Sequence, residues 1–393
     1  MNSDELKALD KQCVMQTYGR FDVALEYGAG SRLYSPEGKM YVDFTSGIGV
    51  NCLGYGDREW ADVVYRQALK LQHVSNLYYT EPYIRAAAML TERTGMSNVF
   101  FANGGGESNE GAIKLARKYA FDRYGTARTN IVTLYQSFHG RTVTTLSATG
   151  QEVFHNYFFP FTQGFRYAKA NDLESVKAAC GDDTCAVMLE LIQGEGGVLP
   201  LDYDFVQQVK AFCEQKDMLL IVDEVQTGVG RTGSLFAFQQ YNILPDIVSF
   251  AKGIAGGLPF GGVMAGEKCR DVFTPGTHAT TFGGNPIAAA AACHVLSRMT
   301  PELLESVARK GAYLTQQILD WKLPCVKGVR GKGLMLGVAL EGKTPGEVAR
   351  ACAGQGLLIL TAGSDALRML PPLVITKEEM DDGLAVLKAV LEA

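Results

Sequence analysis

Between residues 98 and 250 the hydrophobic pattern switches back and forth between two kinds of run. Asn98–Ala102, Asn130–Tyr135, Cys185–Leu191, Met218–Asp223 and Asp246–Phe250 are short and almost continuously apolar, as strands covered on both faces should be. Glu107–Tyr124 and Phe205–Gln215 read as helices between them. Such alternation predicts an α/β fold with a mostly parallel central sheet. Ligands in such sheets bind beyond the carboxyl ends of the strands, so the loops that follow these runs are the ones to inspect.

Both ends of the chain follow a different pattern. Residues 1–45 predict a helix and a hairpin around Ser35-Pro36-Glu37-Gly38. After Pro286 an Ala-rich helix is expected, then a helix from Glu302 to Trp321, then short strands over Gly331–Leu340 and Arg368–Leu370. We therefore expect a large domain over residues 46–285, and a smaller α+β domain from residues 286–393 joined by the N-terminal segment 1–45. A length of 393 residues suits two domains better than one core.

Composition changes this picture little. Apolar residues make up 47% of the chain and charged residues 20%, which is ordinary for a globular protein. The net charge of −5, with no basic tract, argues against nucleic acid or an anionic membrane as a partner. Met1–Val14 carries Asp4, Glu5 and Asp10 and no apolar core, so no signal peptide is expected and a cytoplasmic location is. The nine cysteines include no Cys-x-x-Cys pair and are expected to be free thiols. The five histidines lack metal-ligand spacing, so no metal is expected. The 44 glycines gather in short loops, where backbone can approach a ligand closely.

Four stretches carry candidate chemistry. In Leu219-Leu-Ile-Val-Asp-Glu-Val-Gln-Thr-Gly228 an acid ends an apolar strand, where it must be paired or meet a ligand. Asp223 could hold a pyridine nitrogen protonated, with Gln226 reaching the ring's phenolic oxygen. Strand-end acids also hold magnesium in phosphate-hydrolysing enzymes, and this stretch alone leaves both readings open. Asp246-Ile-Val-Ser-Phe-Ala-Lys252 then ends a second apolar strand on a lysine, ahead of the glycine-rich Gly253–Gly262. A desolvated lysine has a lowered pKa and suits Schiff-base formation and proton transfer. Phe100-Phe-Ala-Asn-Gly-Gly-Gly-Glu-Ser-Asn-Glu-Gly111 reads as strand, glycine turn and helix, an arrangement that offers free N–H groups to an anion. It lacks the Lys-Ser/Thr pair of a nucleotide loop, so a phosphate monoester fits better. Finally, Ser137-Phe-His-Gly-Arg-Thr142 follows a strand with an aromatic that could stack on a flat ring and an arginine that could grip a carboxylate.

Together these stretches resemble the class III (ω-amino acid) aminotransferases, which are fold type I enzymes dependent on pyridoxal 5′-phosphate. The resemblance runs from about Gly28 to Thr376. It is supported by Ser75–Pro82, Gly276–Pro286, Val329–Met335 and Leu367–Leu373. Within the class the chain is most similar to the branch that acts on N-acetylornithine. The resemblance implies Lys252 as the Schiff-base lysine and proton shuttle, Asp223 at the pyridine nitrogen, Gln226 at the ring oxygen and Phe138 on the ring face. It also implies that the backbone of Gly105 and Gly106 holds the phosphate, with Thr281 reaching the phosphate of a neighbouring subunit in a homodimer with shared sites.

For substrates, the resemblance implies that Arg141 binds the carboxylate far from the reacting carbon. Arg368 would hold the α-carboxylate of glutamate, and Glu195 would mask Arg368 while the ω-amine donor is bound. The implied reaction is ping-pong transfer of the δ-amino group of N-acetylornithine to 2-oxoglutarate. Ornithine, γ-aminobutyrate, succinylornithine and succinyl-diaminopimelate are the alternative donors, and an aminomutase of glutamate 1-semialdehyde is an alternative reaction. Three stretches depart from the usual pattern of the branch: Gly104-Gly-Gly106, Glu190-Leu191 and Leu53–Asp57.

Overall fold

A computed structural model describes all residues 1–393. The N-terminal helix Ser3–Cys13 is capped by Asn2. It is followed by strands β1 (Tyr27–Ala29), β2 (Arg32–Tyr34) and β3 (Met40–Asp43). The expected hairpin is the β2–β3 turn, closed by Ser35 N donating to Lys39 O at 2.9 Å.

The central sheet is built from β4 (Asn98–Ala102), β5 (Asn130–Leu134), β6 (Phe165–Ala168) and β7 (Thr184–Leu189). After a small ribbon of β8 (Ile192–Gln193) and β9 (Leu199–Pro200), β10 (Leu219–Asp223), β11 (Ile247–Phe250) and β12 (Gly261–Ala265) complete it. Its order is β4-β12-β11-β10-β7-β5-β6. The pairs from β11 through to β6 are parallel, and β12 runs antiparallel to both its neighbours.

Alternation explains why the strand runs are apolar throughout. Leu220, Val222 and Val248 face one hydrophobic cluster, whereas Leu219, Ile221 and Ile247 face the other, where they meet Ala112, Ile113 and Ala116 of the helix Gly105–Tyr124. With side chains pointing alternately to opposite faces and both faces covered, few positions are left for polar residues, Thr133 and Ser249 among them.

Beyond the helices Pro286–Arg298 and Pro301–Asp320 lies a second antiparallel sheet. Its strands β13 (Val326–Lys332), β14 (Met335–Leu340), β16 (Leu360–Ala362) and β17 (Ala366–Met369) are ordered β13-β14-β17-β16. Between β14 and β16, β15 (Leu357–Leu358) pairs in parallel with β3, which joins the two ends of the chain. No helix is long and apolar enough to cross a membrane.

Three elements differ from the sequence expectation. The strand expected over Gly331–Leu340 is a hairpin, because the chain reverses at Gly333, whose φ of 54° is open to glycine at little cost. The helix expected from Glu107 begins at Gly105. The glycine-rich stretch after Lys252 is only partly loop, since Gly261 and Gly262 lie inside β12. A Cβ on Gly262 would stand 2.8 Å from Phe250 Cζ, so packing between neighbouring strands, not approach to a ligand, requires that glycine.

Candidate active site

The loops that follow β4, β5, β7, β10 and β11 converge on a cavity of 610 Å³ at the carboxyl edge of the central sheet. Gly105, Gly106, Phe138, Arg141, Asp223, Gln226 and Lys252 all line it. Seven positions drawn from four separate stretches of sequence thus meet at one place.

Asp223 ends β10 and is buried, yet its carboxylate is fully engaged. Its Oδ1 accepts from Val225 N at 2.9 Å, and its Oδ2 accepts from Asn109 Nδ2 at 2.7 Å and lies 2.8 Å from His139 Nδ1. Three such partners compensate the loss of water around a buried charge. The Nε2 of His139 is buried and has no partner, and neither has Oδ1 of Asn109.

Lys252 follows β11 with a left-handed φ of 49°. Burial, and after it the cation of Arg368, brings its ammonium down to about 8 from an ordinary 10.5. Glu195, Asp223 and Glu190 pull in the opposite direction without cancelling this. The amine is therefore within reach of its neutral, nucleophilic form near physiological pH.

The helix Gly105–Tyr124 starts inside the cavity, and no side chain caps it. Its first-turn N–H groups and positive dipole end face the space where a phosphate would sit. A Cβ on Gly105 would lie 2.7 Å from Val225 Cγ1, so the cradle is closed to any larger residue. Phe138 is half-buried, and its backbone N–H donates to Glu190 Oε2 at 2.9 Å. Burial pushes the Glu190 carboxyl up to about 7.

Two arginines serve different places. Arg141 is exposed, with its guanidinium 4.2 Å from the ring centroid of Phe154 and 5.5 Å from that of Phe138. Arg368 on β17 is 3% exposed; its Nη1 donates to Glu195 Oε1 at 2.5 Å and to Gln226 Oε1 at 3.1 Å. Burial works against ionisation of Glu195, but Arg368 outweighs it and the carboxyl sits below its ordinary value. Thr281 is exposed and does not line the cavity of its own chain. It lies beside Phe282, 62% exposed, on a surface that Asn76 ties to Leu77, Tyr78 and Tyr79 through a bond to Gly283 O.

His139, Asn109 and Phe154 were not singled out in the sequence, and Glu190 was named only as part of a departure from the branch's pattern. The first two lie inside quoted stretches, but nothing in residue type or spacing distinguishes a histidine that anchors an aspartate from a structural one. Phe154 precedes a run of aromatics and carries no local signal at all.

The class III aminotransferase family model (Aminotran_3) matches residues 14–391. The chain belongs to the class III aminotransferases. These are pyridoxal-phosphate enzymes, and the uncapped helix start, the lysine at a strand end and the anchored Asp223 fit that group. Among similar proteins, the acetylornithine aminotransferase of Haemophilus ducreyi is 50% identical, with 100% of this chain and 99% of that protein covered. The succinylornithine transaminase of Citrobacter koseri is 43% identical, covering 91% and 89%. Among solved structures, the N-acetylornithine aminotransferase of Stenotrophomonas maltophilia is 37% identical with a TM-score of 0.84, covering 98% of both chains. The ornithine aminotransferase of Toxoplasma gondii, described with partial occupancy of the cofactor at its active site, is 31% identical with a TM-score of 0.93, covering 99% of this chain and 94% of that one.

Proposed function

We propose that this class III aminotransferase moves the δ-amino group of N-acetylornithine to 2-oxoglutarate in the cytoplasm, as a step of arginine biosynthesis. The observation that carries the reading is the Glu195–Arg368 pair at 2.5 Å, which is joined to the cavity through Gln226 on its lining, while a second cation, Arg141, stands on the cavity wall. With Arg368 masked, a donor bearing a carboxylate on its reacting carbon finds no partner there, whereas one whose carboxylate lies at the far end finds Arg141. Once Glu195 moves aside, Arg368 holds the α-carboxylate of glutamate and Arg141 its γ-carboxylate.

Bound pyridoxal phosphate supplies a carbonyl that accepts the amine and a protonated ring that draws off electrons. The protein provides the rest. Asp223, held in place by Asn109 and His139, would pair with the ring nitrogen. The N–H groups of Gly105 and Gly106 would hold the phosphate, Phe138 would stack on the ring and Gln226 would bind the ring oxygen. Lys252, buried and with its amine near neutrality, would hold the cofactor's carbonyl end and would serve as the base that moves a proton at the donor's reacting carbon.

Thr281 and its exposed neighbours support a homodimer in which each copy completes the other's phosphate site. The division into residues 46–285 and a smaller unit from 1–45 and 286–393 belongs to the same proposal. It is supported by the central sheet, which takes strands only from 98–265, and by the β3–β15 pairing.

Steady-state kinetics with N-acetylornithine and 2-oxoglutarate test the reading. Parallel double-reciprocal lines, with glutamate formed in step with donor consumed, are expected. Donor consumption that proceeds without 2-oxoglutarate would mark an isomerase instead.

A further inference from the structure

A second cavity, of 590 Å³, opens beside the first and is lined by Gln151, Phe154, Glu195, Arg330, Ser364 and Asp365 among others. It adjoins the active site at two points. Glu195 is the residue that masks Arg368, and Phe154 is the ring that lies on the guanidinium of Arg141.

Its one cation is arranged as a counterpart of Arg368. In the second sheet Arg330 pairs with Gly337, and Gly337 pairs with Arg368, so the two arginines stand in one row across three strands. Directly paired residues project from the same face of a sheet. Gly337 leaves the middle of the row open and Val198 fills it, since a Cβ on Gly337 would lie 2.8 Å from Val198 Cβ. Each arginine is covered by a carboxylate from a loop. Arg368 is held by Glu195 at 2.5 Å and Arg330 by Asp365 at 2.5 Å. The two loops are joined, because Gly363 N donates to Glu195 O at 2.7 Å.

The Arg330–Asp365 pair is easier to open than its counterpart. The Asp365 side chain is 48% exposed and can return to water, while Arg330 is 26% exposed and keeps a buried Nε without a partner. An exposed carboxylate adds little to a pair of this kind and can be exchanged for another at small cost. A carboxylate arriving from the substrate would meet a planar donor fork already held in place by the sheet.

We propose that Arg330 is a second carboxylate subsite, which takes the far end of an N-acyl donor whose acyl chain itself ends in a carboxylate, with Asp365 as the group it displaces. The inference rests on the acyl-donor reading above and extends it: Arg141 holds the amino-acid carboxylate, and the acyl chain passes Phe154 into the second cavity. A neutral acetyl group is too short to use Arg330.

The test compares single half-turnover rates of the holoenzyme with N-succinylornithine and N-acetylornithine. In Arg330→Gln the ratio of succinyl to acetyl rates should fall by about tenfold, the order of one charge-assisted hydrogen bond. In Asp365→Asn, which keeps the shape of the turn and frees the cation, the same ratio should rise. If Arg330→Gln does not fold, Asp365→Asn decides alone, and an unchanged or lower ratio overturns the subsite. Variants that change both rates in parallel, or a wild type that converts only the acetyl donor, also overturn it while leaving the acyl-donor reading intact. A wild type that converts neither donor removes that reading, and the subsite with it.

Discussion

Nη1 of Arg368 is shared between Glu195 Oε1 at 2.5 Å and Gln226 Oε1 at 3.1 Å, so one buried cation ties Glu195 to a residue that lines the central cavity. Glu195→Gln keeps the side chain's shape and removes the charge that competes with a substrate carboxylate. Half-turnover with glutamate should then gain on half-turnover with N-acetylornithine by about tenfold or more, as expected for loss of one charge-assisted bond. An unchanged ratio would mean that Glu195 does not mask Arg368.

The second prediction concerns Lys252. In the cofactor-free protein its amine, lowered to about 8 by burial, should capture an added aldehyde faster as pH rises, with a midpoint near 8. The fold favours the neutral amine, so it disfavours the charged one as pH falls from the ordinary 10.5 through about 8. The cofactor-free enzyme should accordingly lose stability over that window on acidification, and Lys252→Met should remove this slope. Melting temperatures of both proteins between pH 7.5 and 10.5 provide the check.

Nδ1 of His139 lies 2.8 Å from Asp223, so on the proposed reading His139 supports the cofactor through that carboxylate. Replacing it with alanine leaves the buried carboxylate with one strong partner fewer. We expect kcat to fall by about tenfold, with a shift in the pH dependence of cofactor absorbance that a purely structural loss would not cause.

Gly105 makes a steric prediction. In Gly105→Ala the new Cβ would stand 2.7 Å from Val225 Cγ1, at a cost of about 1–3 kcal/mol in strain. Cofactor titration and thermal melts should both show the loss, and adding Val225→Ala should recover most of it. Failure of the double variant to recover would place the fault in the helix start and not in the clash.

Much of the central sheet was legible because β10 and β11 are buried on both faces, and such strands announce themselves as unbroken apolar runs ending in Asp223 and Lys252. β12 was hidden for the opposite reason: its glycines, needed where Phe250 and Ser108 crowd the backbone, read as loop. The helix start at Gly105 was missed because glycine has low helix propensity, and there the bound anion's need for bare N–H groups outweighs propensity. The residues named from the sequence within the cavity were found through strand-end position and family likeness. Their supports, His139 and Asn109 among them, are brought in by packing across the sheet, which no local pattern records. Thr281 stands outside the cavity of its own chain, so the phosphate contact expected of it rests on the proposed dimer alone.

The most direct test of the account is single half-turnover spectroscopy of the holoenzyme, in which the cofactor's absorbance reports conversion from the pyridoxal to the pyridoxamine form. Conversion should be fastest with N-acetylornithine and slower with ornithine and γ-aminobutyrate, and the original spectrum should return on adding 2-oxoglutarate. Fast conversion with ornithine or γ-aminobutyrate alone would contradict the donor assignment while keeping the chemistry of Lys252 and Asp223.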